Sequence, residues 1–346
     1  MKAIILILLC TALIFLSGCQ MGYLVKSSYY QLALLGRGER VELALKDPKL
    51  TAETKRKILL VQEVKKFAHD KIGLISTRSY DKFVQLDEPY VTYVVSASPK
   101  DRLESYLWSF PIVGHVPYKG FFKKPDAEEE KNELEKENLD VSLRGVSAYS
   151  TLGWFADPLL SSMTAYDDAD LVETVIHETT HATLYIKSNA DFNERFAMFV
   201  GSKGMEEFFS QKEGEGSKAI LKAHLAAEDS KVFAEFISQE LKDINEFYKR
   251  NKDSKTLMED RKAAFDKIKK NFSLACEPKL KTENYRGFSK QNLNNAILLG
   301  YKTYYQDLDI FAKAFVKLKT WPEFMKYFKK LKSSDDPEKE LRTFIN

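Results

Sequence analysis

The apolar positions of this chain change rhythm as it proceeds. After residue 20 they fall at helical spacing in YLVKSSYYQLALL and again in ERVELALKD, two short helices broken by Gly36-Arg37-Gly38. TAETKRKILLVQEVKKFAHDKIGL opens on Thr51 with a Glu close behind and predicts one long amphipathic helix. Between Ser79 and Phe122 the pattern shifts to short runs rich in Val, Tyr and Phe (YVTYVVSA, SYLWSF, YKGFF), cut by Pro and Gly, which predict strands. KKPDAEEEKNELEKENLD is nearly all charged and reads as a solvated helix with opposite charges on neighbouring turns. DVSLRGVSAYSTL then alternates as a strand ending at Gly153. From Ala165 the spacing is helical nearly to the C-terminus, with long helices from Lys255 to Leu274 and from Asn294 to Leu318. The expected architecture is α+β and predominantly α-helical, with a small β-sheet in the N-terminal half and the helices late.

Composition adds bounds to this pattern. The 346 residues are 44% hydrophobic, enough to bury the core of one large domain or two modest ones. The 53 basic and 50 acidic residues leave a net charge of +3, so electrostatics gives no footprint for nucleic acid, and that partner is set aside.

The start of the chain follows different rules. Lys2, the apolar run AIILILLCTALIF and then LSGC have the layout of a secretory signal ending in a bacterial lipobox. Residues 1–18 are then a signal peptide, and Cys19 becomes the lipidated N-terminus that tethers the rest to a membrane. The alternative is an uncleaved anchor, but Ile4 to Leu16 is short for a bilayer core, which needs about 20 apolar residues. Gln20 rather than Asp after the cysteine favours the outer membrane. Cys10 leaves with the signal and Cys19 is lipidated, so Cys276 has no partner for an intramolecular disulfide.

The chemistry concentrates in HETTH, residues 177–181. On a helix His177 and His181 share one face, where two imidazoles can grip one metal ion with Glu178 beside them. A chance HExxH is expected on the order of once in a hundred such chains. Leu171, Val172, Val175 and Ile176 raise the signal, because they supply an apolar face that buries the helix and aims the histidines into a cleft. A catalytic zinc takes three protein ligands and keeps a position open for water. His69, His115 and His224 each qualify as the third, but a carboxylate close downstream is simpler. The helix is expected to end near Lys187 and a second to start around Phe192. That places Glu194 on its first turn, able to fold back over the histidines, with Asp191 as the competitor more suited to capping. Zinc lowers the pKa of water, and Glu178 can take the proton and pass it to the leaving amine. Tyr149, Tyr301, Tyr304 and Tyr305 are the candidate phenols for the oxyanion. The stretch from Gly145 to Ser150, including Ser147 and Tyr149, is either a substrate-pairing edge strand or an ordinary strand of the sheet.

Several blocks in order resemble one family: GCQMGYLVKSSYYQLALL, SYDKFVQLDEPYVTYVVSASP, WSFPIVGHVPYKGFF, GVSAYSTLGWFADPLLSSM and HETTHATLYIKSNADFNERFAMFVG. The chain resembles the bacterial predicted aminopeptidases, lipoproteins related to the gluzincin metallopeptidases. NERFA is similar to the Asn-Glu-x-x-Ala pattern in which gluzincin aminopeptidases place their third ligand, which implies Glu194. The distance from His181 to Glu194 is shorter than in the larger gluzincin aminopeptidases, and the chain departs from the family in three further ways. Ser109 and His115 stand where typical members have cysteines, Thr179-Thr180 where Leu-Ala is commoner, and no counterpart is evident for the acidic residue that holds a substrate's free amine.

The expectation is a zinc-dependent peptidase, an aminopeptidase by resemblance, with one zinc on His177, His181 and Glu194 and Glu178 as general base. Residues 19–346 would form the metallopeptidase domain, with a helical and sheet part over 19–125 and a helix-rich part over 126–346. It would act on peptides, facing the periplasm and held to the membrane by lipid on Cys19. The competing readings are an envelope lipoprotein that binds or assembles while retaining the site, and a zinc amidase acting on the cell wall.

Overall fold

The structure is a computed structural model that describes residues 22–110, 114–148, 155–187, 189–302 and 308–346. The signal segment, Cys19, Tyr149, Ser150, Tyr304 and Tyr305 lie outside the described residues.

Helix α1 (22–36) is followed by strand β1 (Glu39–Arg40), the one-turn helix α2 (Val41–Ala44) and helix α3 (Ala52–Phe67). The second short helix expected from ERVELALKD is therefore mostly not helical. Glu39 and Arg40 instead pair with Phe83 and Lys82, so sheet pairing overrides a helical spacing too short to nucleate alone. α3 starts where Thr51 predicts, its hydroxyl accepting the Thr54 N–H at 3.0 Å. It buries Ile58, Val61 and Val64, then widens through a π turn (Ala68–Ile72) that ends at Gly73, whose φ of 81° favours glycine.

Next come β2 (Lys82–Val84), β3 (Thr92–Pro99), β4 (Trp108–Phe110), β5 (Gly114–Val116), β6 (Lys119–Phe121), α4 (Lys124–Lys136), β7 (Leu139–Val146) and β8 (Leu159–Leu160). Among the described residues the single expected sheet is three small ones: β1-β2-β8, β6-β3-β7 and the hairpin β4-β5. The charged segment is α4. It is solvated except for Ala127 and Leu134, which pack on Tyr93, Val95 and Phe121 of the sheet. The hairpin carries one of the departures from the family: Ser109 and His115 face each other in register, and the serine hydroxyl and His115 Nδ1 are 2.7 Å apart.

The remainder is helical: α5 (Asp168–Thr183), α6 (Ala190–Glu213), α7 (Lys218–Arg250), α8 (Leu257–Asn271), α9 (Asn295–Lys302), α10 (Asp309–Leu318), α11 (Trp321–Lys330) and α12 (Pro337–Ile345). The helix expected from Asn294 to Leu318 is described over Asn295–Lys302 and Asp309–Leu318, and residues 303–307 between them lie outside the described residues. The protein is thus mostly helical with small sheets, as the α+β expectation has it.

The largest core lies under α3, α5, α6 and α10 to α12, with Phe192, Phe196, Phe311, Phe324 and Phe328 packed ring to ring at its centre. A second core joins the far half of α7 to α8 and α9. A polar network ties that half to the sheet. Arg261 pairs with Asp140 of β7, Asp140 accepts the Asn295 N–H at 2.9 Å, and Asn295 accepts the Tyr248 hydroxyl at 2.8 Å. No described helix is long and apolar enough to cross a membrane.

Candidate functional site

Helix α5 is anchored at its N-terminal end before it presents its histidines. Asp167 caps it by accepting the Asp170 N–H at 2.9 Å, and Asp168 in the first turn is gripped by Arg56 at 2.7 Å and Lys57 at 2.6 Å from α3. The Arg56 guanidinium is the main cause that pulls the Asp168 carboxyl down to about 2. Leu171, Val172, Val175 and Ile176 are each fully buried, as the apolar spacing predicts. Thr180 is buried too, and its hydroxyl is satisfied by the Ile176 carbonyl at 2.8 Å, so Thr180 needs no external partner.

The helix ends at Thr183 rather than near Lys187. Thr179, Thr180 and Thr183 all bond back to carbonyls four residues earlier, and Leu184 turns to extended geometry. Helix α6 begins at Ala190, two residues before the expected Phe192. Its cap position is Asn189 without a side-chain bond, so Asp191 does not cap it. Buried Asn193 does the closing instead: its amide accepts the Ile186 N–H at 2.9 Å and donates to the Ile186 carbonyl at 2.8 Å. This two-bond clasp fixes where α6 starts and therefore where the next residue, Glu194, stands.

Three donor groups meet across the helix pair. His177 Nε2 and His181 Nε2 lie 3.1 Å apart, Glu194 Oε1 is 3.3 Å from His181, and Glu194 Oε2 is 3.5 Å from His177. Ligands at about 2.0 to 2.2 Å in a tetrahedron stand about 3.3 Å from one another, so this triangle has the spacing to hold one metal ion. Burial opposes ionisation of Glu194, but hydrogen bonds to both histidines outweigh it and hold the carboxyl well below the usual range. For His177, burial disfavours the charged ring, and Glu194, with Glu178 and Glu173 nearby, more than reverses this and raises the pKa. His181 is buried, and its Nδ1 has no hydrogen-bond partner among the described residues. The other candidate ligands are engaged elsewhere: His69 with the Leu74 carbonyl, His115 with Ser109 and His224 with Glu206. Asp191 is exposed and outside the triangle.

Glu178 lies beside His177 and outside the triangle. It lines a water-sized polar niche of about 10 Å³ with Ser79, Tyr80, Asp157 and Thr179. Tyr80 has φ 65°, unusual for a residue with a side chain, and its N–H donates to the Asp157 carbonyl at 2.7 Å. Burial, and then the charges of Glu178 and Asp157, push the Tyr80 phenol well above its ordinary range. One turn before His177, burial and Asp170 push the Glu173 carboxyl up to about 7. Glu173, His177 and His181 fall at four-residue spacing, so Glu173 was readable from the helical period. Tyr80 and Asp157 carried no such signal, because loops bring them in.

Gly145 pairs with Tyr93 in β7, which is an edge strand of its sheet, and the ring of Tyr90 lies where a side chain at 145 would go. The Val146 carbonyl accepts the Val91 N–H, so by alternation the backbone groups of Gly145 and Ser147 turn away from β3. Ser147 gives its carbonyl to the Ser162 hydroxyl at 2.5 Å and also bonds to Tyr166, linking the end of β7 to the start of α5. Of the candidate phenols, Tyr301 belongs to the second core, bonded to Gln291, away from the helix pair.

No curated protein and no solved structure matches the chain. The sequence model of a family described as "Putative aminopeptidase" matches residues 22–343, nearly the whole described length. That span takes in both helices of the pair and the strands beside them, and the chain belongs to this aminopeptidase family.

Proposed function

We propose that this chain is a zinc-dependent peptidase of gluzincin type that removes residues from the N-terminal end of peptides. One observation carries the reading. Two imidazole nitrogens and a carboxylate converge at tetrahedral spacing on an antiparallel helix pair, in a family named for aminopeptidase activity. His177, His181 and Glu194 would hold the ion, and zinc there supplies a Lewis acid that brings the pKa of water toward neutrality. Glu178, next to a ligand but outside the triangle, takes the proton of the attacking water and hands it to the leaving amine. Asn193 keeps Glu194 in place, and Gly145 on the edge strand β7 is the candidate to pair with an extended substrate backbone.

We read residues 19–346 as one domain, released from the signal over 1–18 and tethered by lipid on Cys19 to the periplasmic face of a bacterial membrane, with Gln20 favouring the outer one. Purified protein should contain about one zinc per chain, and Glu178→Gln should keep the metal while losing hydrolysis. Metal content unchanged on replacing both His177 and His181 would sink the ligand assignment. Free-amine and N-blocked peptides, compared side by side, test the exopeptidase assignment.

A further inference from the structure

Helix α1 carries an apolar stripe that the protein leaves uncovered. Val25, Tyr29 and Leu32 follow each other at helical spacing along one face, and they are 64%, 66% and 61% exposed. The opposite side is well secured. The Tyr23 hydroxyl donates to the Gly120 carbonyl at 2.7 Å, Lys26 pairs with Asp126 at 2.8 Å, and Leu34 is buried in the main core. The helix is thus held in a fixed orientation with its apolar stripe outward, an arrangement that costs free energy in water unless something covers the stripe.

We infer that this face of α1 lies on a lipid bilayer and forms a second membrane contact beside the anchor. Three features of the chain select lipid as the occupant. Cys19 precedes the start of α1 by three residues, which span at most roughly 10 Å, so a lipid on Cys19 brings the first turn of α1 to the headgroups. Residues 22–36 contain no Asp or Glu, and their one charge, Lys26, is already paired, so anionic headgroups meet no repulsion from the helix. Tyr29 at the centre of the stripe has the apolar ring and polar tip that suit the membrane interface. A helix with an apolar face in the plane of the interface adds to a lipid anchor. The contact would also stop the domain from swinging freely on its leash.

This inference rests on the anchor reading of Cys19, and the experiment separates the two. The full chain, purified from bacterial membranes, is placed in vesicles of phosphatidylethanolamine and phosphatidylglycerol. A polarity-sensitive dye is attached through Tyr29→Cys or, as a control, through Leu274→Cys, a site 69% exposed; Cys276 is buried and stays unlabelled. The dye at position 29 should shift to the blue and lose emission to nitroxide lipids, while the dye at 274 does neither. Adding Val25→Ser and Leu32→Ser should return position 29 to water-like emission without releasing the chain from the vesicles. Equal emission at 29 and 274 would overturn the inference. So would a dye at 29 that is shielded, not quenched by lipid and cross-linked between copies, which would assign the face to a second chain. The mass of the N-terminal peptide reads the lipid on Cys19 independently. If that lipid is absent the anchor reading fails, and the labelling is repeated with Cys10 and Cys19 replaced by Ser, so that quenching at position 29 still decides whether α1 touches the bilayer.

Discussion

Gly201 of α6 packs against His177 of α5 so tightly that a Cβ at 201 would stand 3.3 Å from the His177 Cβ and 3.1 Å from the Glu173 carbonyl oxygen. Gly201 lies two turns after Glu194 on the same face, so the absent side chain sets how closely the two helices approach where the donor triangle forms. Gly201→Ala gains about 1 kcal/mol of helix propensity, which offsets the tight contact and should leave stability near that of the native chain. Gly201→Val should lose about 1 to 3 kcal/mol by overpacking and should also hold metal less tightly. Urea unfolding and competition with a chelator measure the two effects. A valine variant with native metal retention would show that helix spacing does not set the site.

Asn193 serves both groups of Ile186 in a buried setting; its truncation orphans the Ile186 N–H, while the Ile186 carbonyl keeps the Asn189 N–H at 3.3 Å. A buried orphan costs about 1 to 3 kcal/mol, and Asn193→Ala should destabilise the protein by about that much. Because Glu194 is the next residue, metal should be lost faster in the same variant. Asn193→Asp keeps an acceptor for the Ile186 N–H but opposes a carboxylate to its carbonyl, so it should fall between the two. Thermal unfolding with and without added zinc checks this: an alanine variant that unfolds like the native protein would remove the clasp from the account.

How much of this was legible beforehand follows from the range over which each cause acts. The buried face of α5 and the shared face of His177 and His181 depend on a helical period written locally, and both stand where the spacing puts them. Glu194 was reachable because a short turn joins two helices and leaves few geometries. The end of α5 was misplaced by four residues, since the Asn193 clasp, rather than the apolar pattern, closes that turn. Tyr80 and Asp157 come from two separate loops before α5, and no period connects them to Glu178. Strand β1 was read as helix because two residues cannot announce a partner more than forty positions away.

Glu173 gives the protein a pH dependence whose sign is fixed. Burial first, and then Asp170, raise its carboxyl from an ordinary 4.5 to about 7, so the folded state holds this proton more tightly than the unfolded chain. Stability contributed by the protonated form is full below about pH 4.5, falls as pH rises toward 7 and is absent above it. Glu173→Gln is neutral throughout and should match the native protein at pH 5 and exceed it at pH 8. At about 1.4 kcal/mol per pK unit the gain is on the order of 3 kcal/mol at most. Melting curves of chelator-stripped protein across this range read the difference; a gap that shrinks with rising pH would reverse the assignment.

Ser109 and His115 are directly opposite on β4 and β5, at the two positions where the resembled family carries cysteines. Their hydrogen bond is exposed to water, so Ser109→Ala should cost no more than about 1 kcal/mol. Opposed residues place their Cβ atoms about 4.5 to 5.5 Å apart, and a disulfide needs about 3.5 to 4.5 Å, a distance that a short hairpin can close. The double variant Ser109→Cys with His115→Cys should therefore cross-link under oxidising conditions. Closing so short a loop stabilises by about 2 kcal/mol in the chain-entropy account. Cys276 is buried and free, so thiol titration of unfolded protein before and after reduction counts the new pair against a known background. Formation of the bond, with a melting temperature that drops on reduction, would mean that Ser109 and His115 occupy the place of a covalent clip. Failure to oxidise would mean that the hairpin of this chain holds its strands at a separation of its own.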